Sequence, residues 1–282
     1  MHKEKLSQSA NLYTMNTLSD LEEERMIKTG IFSWFSYSLP IEQRLRLIKE
    51  AGFDATSLWW GDENKHLQPE MAKKIGLDID NIHTPFNHPN ELWIDGLAGE
   101  DYLNTLKVCI NDCAQYSIPA AVIHITGFSK PPEITHIGLE RIRRLVDFAE
   151  NKQVYLAFEN LNFLQHLDYI FENIKSDYLG FCYDTGHENC FHQDADCLSR
   201  YGERLFAVHI DDNFGDHDTH LLPFDGTVNW NSVRDKLKKS KDISYLTLEV
   251  DFNPNHDKSK IYKGVSAEDF LAQAYERALK LI

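Results

Sequence analysis

The chain has 282 residues, 42% of them hydrophobic, and a formal net charge of −15 at pH 7. That length suits one (β/α)8 barrel, which needs about 250 residues. The charge opposes a broad phosphate-backbone contact, which needs clustered Lys and Arg, and no apolar run reaches the roughly 18 residues of a membrane span.

Residues 1–25, "MHKEKLSQSANLYTMNTLSDLEEER", carry no apolar h-region and so do not read as a secretory signal. They read as an N-terminal extension, and a cytoplasmic protein is expected. From Met26 onward, short β-rich runs alternate with helical patterns. "KTGIFSW" precedes "PIEQRLRLIKEAG", whose Gly52 can stop the helix. "FDATSLWW" precedes "QPEMAKKIG", and "LDIDNIHTPF" precedes "EDYLNTLKVCINDCAQYS". "AAVIHITG" leads to "HIGLERIRRLVDFAENK", and "VYLAFEN" to a shorter helix near "HLDYIFENIK". "LGFCYDTGH", with a turn expected at its Gly, leads to "DADCLSRYG". "LFAVHIDD" leads through a long polar loop to "WNSVRDKLKKS", and "ISYLTLEVD" to "SAEDFLAQAYERALKLI".

Repeated strand–helix alternation argues for a parallel sheet, and eight units in a row argue for closure. The predicted fold class is therefore α/β, a (β/α)8 TIM barrel forming a single domain over residues 26–282. No G-x-G-x-x-G follows the first strand, which weakens the open-sheet alternative. The five cysteines (Cys109, Cys113, Cys182, Cys190 and Cys197) are an odd set without framework spacing, so reduced thiols are expected. Cys182 shares strand parity with Asp184 and is placed in the barrel interior.

In this fold, chemistry sits at the C-terminal ends of the strands. Those ends carry His83, His124, Glu159, Asp184, His209 and Glu249, and the loops beyond add His187, Asp218 and His220. Each has a bland reading alone: a satisfied histidine for His83, a helix cap for Asp184. Six consecutive strands sending Asp, Glu or His to one mouth is hard to explain by packing, because an unpaired carboxylate there is costly to desolvate. Two Glu, one Asp and one His fit a divalent ion. Oxygen ligands suit Mn or Mg, and the nitrogen ligand admits Zn, Co or Fe. Trp34, Trp59, Trp60, Phe86 and Phe128 fall at strand ends or mouth loops, where aromatic faces suit sugar C–H faces. The other histidines read as solvated or structural.

With these residues placed, the chain resembles the xylose isomerase-like TIM barrels from Met26 to Ile282. The resemblance rests on "CYDTGHEN", "AVHIDDN" and "DHDTHLLPFDGTVNW", with support from "NIHTPF", "VIHITG" and "AFENL". Similarity to the ketose epimerases implies one metal held by Glu159, Asp184, His209 and Glu249. It also makes Glu159 and Glu249 the acid–base pair, and His187 a ligand to a substrate oxygen. Similarity to endonuclease IV implies up to three zinc ions, with His83, His124, His187, Asp218 and His220 as further ligands. Two departures matter: Gly215 stands where ketose epimerases carry an Arg, and Leu161 where xylose isomerase carries a Lys. The acidic loop "FGDHDTH" argues against duplex DNA. Related barrels often pair or form tetramers, so a homo-oligomer is also admitted.

The leading expectation is a metal-dependent isomerase or epimerase acting on a sugar, sugar phosphate or related polyol by proton transfer next to a carbonyl. Glu159 and Glu249 would be catalytic, and His187, His83, His124, Trp34 and Trp60 would bind the substrate. The alternatives are a trinuclear zinc phosphoesterase of endonuclease IV type and a non-catalytic sugar- or metal-binding barrel.

Overall fold

The computed structural model describes residues 27–128, 130–253 and 255–282. The N-terminal extension and its junction with the barrel at Met26 lie outside the described residues. Eight parallel strands close on themselves in chain order. They are β1 (Lys28–Phe32), β2 (Ala55–Trp59), β3 (Asp78–His83), β4 (Ala120–Ile123), β5 (Tyr155–Glu159), β6 (Leu179–Asp184), β7 (Leu205–Ile210) and β8 (Tyr245–Leu248). The barrel closes where β1 pairs with β8, Lys28 opposite Tyr245.

Strands buried on both faces should read as nearly continuous apolar runs. β6, "LGFCYD", is buried at every position. Val122, Ala157, Cys182 and Ala207 form a small-residue layer of their own in the lumen, below the ligand-bearing strand ends. The larger core lies between the barrel and its helices.

The helices follow the strands as α1 (Ile41–Ala51), α2 (Gln68–Lys74), α3 (Leu97–Tyr116), α4 (His136–Lys152), α5 (Leu164–Asn173), α6 (Thr185–Phe191), α7 (Cys197–Tyr201), α8 (Trp230–Leu237) and α9 (Ala267–Leu279). α1 buries Leu45, Leu47 and Ile48 and stops at Gly52, whose φ of 109° suits only glycine. α4 and α9 start at Thr135 and Ser266, whose hydroxyls accept the N–H groups of Gly138 and Asp269. None of the described helices is long and apolar enough to cross a membrane. All five cysteines are free.

One element departs from the sequence reading. "DTGHEN" is not a strand end followed by a turn but the start of helix α6. Gly186 lies inside this helix because a Cβ there would meet the Asp211 carboxylate at 2.4 Å. The glycine lets the helix start pack against β7.

Candidate metal centre

Four strand ends meet at the barrel mouth. Single ligand atoms of Glu159, Asp184, His209 and Glu249 lie within 4.8 Å of one another, all on buried residues. His209 Nδ1 lies 2.9 Å from Glu159 Oε1 and contacts Glu249 Oε2. His124 Nε2 lies 2.6 Å from Glu159 Oε2, with His83 Nε2 behind it at 3.7 Å.

Asp184 is fixed from both sides. The side-chain amide of Asn160 accepts the Asp184 N–H at 2.7 Å and donates to the Asp184 carbonyl at 2.8 Å. Oδ1 of Asp184 accepts the His187 N–H at 2.6 Å and so caps α6, while buried Oδ2 has no hydrogen-bond partner. The start of α6 is clasped in turn by β7: Thr185 Oγ1 donates to the Asp211 carbonyl at 2.7 Å, and Gly186 N to Asp211 Oδ1 at 2.8 Å.

A second group sits beside the first. Asp211, Asp218 and His220 also bring ligand atoms within 4.8 Å of one another. His187 links the two groups: Nδ1 lies 3.6 Å from Asp184 Oδ1, and Nε2 lies 3.1 Å from Asp218 Oδ2. The loop holding Asp218 and His220 is pinned by Asp212, whose carboxylate accepts from Phe224 N, Val228 N and Trp230 Nε1 at 3.0, 3.0 and 3.1 Å.

The hydrogen bonding favours a cation here. His83 Nδ1 lies 3.0 Å from the Thr84 carbonyl, and His220 Nδ1 lies 3.0 Å from that of Glu249. A carbonyl only accepts, so both Nδ1 atoms carry hydrogen. Each neutral ring then turns an Nε2 lone pair toward a carboxylate: His83 toward Glu159, and His220 toward Asp218 at 3.1 Å. Acceptor facing acceptor is repulsive unless a proton or metal ion lies between. Buried Asp211 Oδ2, Asp218 Oδ1 and His187 Nδ1 are likewise without hydrogen-bond partners. Three carboxylates and an imidazole in the first group form a donor set that could hold a divalent ion.

The electrostatics are divided. Burial pushes the Asp184 carboxyl up to about 7, with the neighbouring Glu159 charge adding to it and His187 opposing it. Burial works the same way on Glu249, but His209 outweighs it and holds Glu249 down to about 2. His209 and His124 likewise outweigh burial at Glu159 and keep it well below the carboxylate range. Burial and the Asp184 charge raise Asp211 well above that range.

The structure brings His83, His124, Glu159, Asp184, His187, His209, Asp218, His220 and Glu249 to this one mouth. Trp34 lines the cavity above them, with Trp59 and Phe86. Trp60 does not join them. It is fully buried outside the barrel, where Nε1 donates to Asp112 Oδ2 at 2.9 Å. Its neighbour Trp59 faces the site, with a ring centroid 5.6 Å from that of His83. The sequence reading gave no role to Asn160, Asp62, Asp211 or Asp251. The doubled acid of "HIDDN" is the only sequence signal for Asp211.

A family model described as xylose isomerase-like TIM barrel matches residues 45–267. The chain belongs to that family. Uncharacterized protein y4fM of Sinorhizobium fredii is 26% identical over 289 residues, covering 86% of this chain and 93% of that protein. Among solved structures, D-psicose 3-epimerase from Clostridium cellulolyticum H10, determined with D-tagatose, superposes with a TM-score of 0.74 at 13% identity, covering 90% of this chain and 98% of that one. The IolI protein with a bound zinc atom superposes with a TM-score of 0.70 at 16% identity, covering 90% and 98%. These structural neighbours share the barrel fold.

Proposed function

We propose that this chain is a divalent-metal-dependent isomerase or epimerase. Its substrate would be a small sugar or related polyol, and the reaction a proton transfer next to a carbonyl. The observation that carries the reading is the placement of Glu159 and Glu249. The two carboxylates reach the same buried group from β5 and from the end of β8, on either side of His209 Nδ1. The epimerase and IolI neighbours agree with it.

Glu159, Asp184, His209 and Glu249 would hold the ion, drawn from Mn, Mg, Zn, Co or Fe. When bound, it would supply Lewis-acid polarisation of the substrate carbonyl. Glu249 lines the cavity and is ionised at neutral pH, so it is placed to take a proton from the carbon beside that carbonyl. Glu159, sealed behind it, returns a proton. His187 and His124 carry ring nitrogens at the cluster that can orient substrate oxygens. Phe86 stacks over His124 with centroids 4.6 Å apart and shields the site from water.

The test is exchange of substrate C–H for C–D in D2O, followed by NMR on metal-supplemented protein with a panel of free and phosphorylated ketoses. Wild type should exchange at least one of them. Glu159→Gln and Glu249→Gln should each slow exchange by about 10²–10⁴-fold. Near-wild-type exchange in either variant overturns the acid–base assignment.

A second reading, a phosphoesterase with up to three zinc ions, is favoured by one observation: His187 ties the first group to Asp218 of the second. Metal analysis of the purified protein separates the two, since close to three zinc ions per chain would favour the phosphoesterase.

A further inference from the structure

The cavity above the ligand group has a volume of about 300 Å³. That is the low end for small-molecule pockets. One wall is aromatic, from Trp34, Trp59 and Phe86, and the other is acidic, from Asp62, Asp251 and Glu249. No lysine or arginine is among the lining residues.

The nearest guanidinium is already committed. Arg44 stacks 4.6 Å from the Trp34 ring centroid, donates to the Ser33 carbonyl at 3.0 Å and pairs with Asp62 Oδ2 at 2.8 Å. Its side chain is 3% exposed. It braces Trp34 and Asp62 from behind and cannot reach a ligand. Asp251 has no such partner. Its Oδ1 accepts from Ser36 Oγ at 2.9 Å, and Oδ2 takes no hydrogen bond from the described residues. The open end of the site therefore offers hydrogen-bond acceptors and apolar faces, with one carboxylate charge unpaired by Lys or Arg.

We infer that this pocket recognises an uncharged polyhydroxy carbonyl compound and rejects its phosphate esters, with Asp251 and Asp62 as the residues that determine this specificity. Hydroxyls at the end remote from the carbonyl donate to Asp251 Oδ2 and Asp62 Oδ1, while C–H faces lie against Trp34 and Trp59. A phosphate at that end meets acceptors with no donors to pair with, and a like charge at Asp251. This inference rests on the proposed isomerase reading for the position of the carbonyl end.

The experiment is equilibrium binding by titration calorimetry on the full-length, Mn-loaded protein. Binding is read separately from turnover, so absence of C–H exchange would count against the isomerase reading and leave the selectivity measurable. The probes are free ketohexoses, a free inosose, and fructose 1- and 6-phosphates. At least one free compound should bind, and each ester should bind at least ~100-fold more weakly than the best of them. Asp251→Asn should weaken free-sugar binding by roughly tenfold, the loss of one charged acceptor. Asp251→Lys should shift the preference toward the esters. An ester that binds wild type as tightly as the best free compound overturns the inference. So does failure of every free compound to bind, or an unchanged affinity in Asp251→Asn.

Discussion

Asp184 serves two structures with its two oxygens: Oδ1 accepts the His187 N–H at 2.6 Å and starts helix α6, while Oδ2 is left for the ligand group. The two roles separate by substitution. Asp184→Asn retains an oxygen for the cap but loses the negative charge. It should keep the thermal stability of the metal-free protein and lose metal affinity. Asp184→Ala should lose both, with a further cost of about 1 kcal/mol from the missing cap. Thermal melts of chelator-treated protein and metal titrations read the two effects independently. Equal stability of the metal-free Asn and Ala variants would refute the dual role.

Much of this site was legible because its strand ends recur at a fixed place in each unit. His83, Glu159, Asp184 and His209 each close an apolar run, and the barrel reading alone brings them together. Helix α6 was not legible, because Gly186 reads as a turn until Asp211 is seen packed against it. Trp59 and Trp60 could not be separated by counting along the sequence. A register shift between Thr56 and Ser57 against β3 interrupts the simple alternation of β2. Asp62 and Asp251 sit in loops after different strands, and only the closed barrel shows that they share a cavity.

Metal binding should stabilise the fold. Buried Glu159, Asp184 and Glu249 repel one another, and a divalent ion offsets that repulsion. An ion that binds only the folded chain adds about 2.7 kcal/mol at one hundred times its Kd. For a chain of this size, that should raise Tm by at least about 5 °C. Differential scanning fluorimetry after chelation, followed by readdition of Mn, Zn, Co, Fe or Mg, measures it. If none of the five ions moves Tm, the cluster is not a metal site.

Far from the mouth, Glu100 at the start of α3 ties that helix to α4. Its carboxylate accepts from Arg144 at 2.9 and 3.1 Å and from Arg141 at 2.9 Å. Arg144 first, and Arg141 after it, hold Glu100 down to about 2 from an ordinary 4.5. A depressed folded value means that the stabilisation is complete above 4.5 and disappears as pH falls toward 2. The stability difference between wild type and Glu100→Gln should therefore be constant above that range and shrink below it. Partial exposure of the group keeps the difference small. Urea unfolding of both proteins between neutral pH and about pH 3 checks the direction, and a gap that widens on acidification would contradict it.

Trp60 and Trp34 should respond in opposite ways. Trp60 is fully buried with its indole N–H on Asp112, so Trp60→Phe leaves a buried carboxylate oxygen unpaired. That should cost about 1–3 kcal/mol of stability without altering sugar affinity. Trp34 is partly exposed in the cavity wall and packs on Arg44. Trp34→Ala removes that face, so free-sugar binding should weaken while the core stays closed. Paired urea and calorimetric measurements on the two variants give the split. Weakened sugar binding in Trp60→Phe, at temperatures well below its melt, would place that indole at the site after all and reverse the assignment made from its burial.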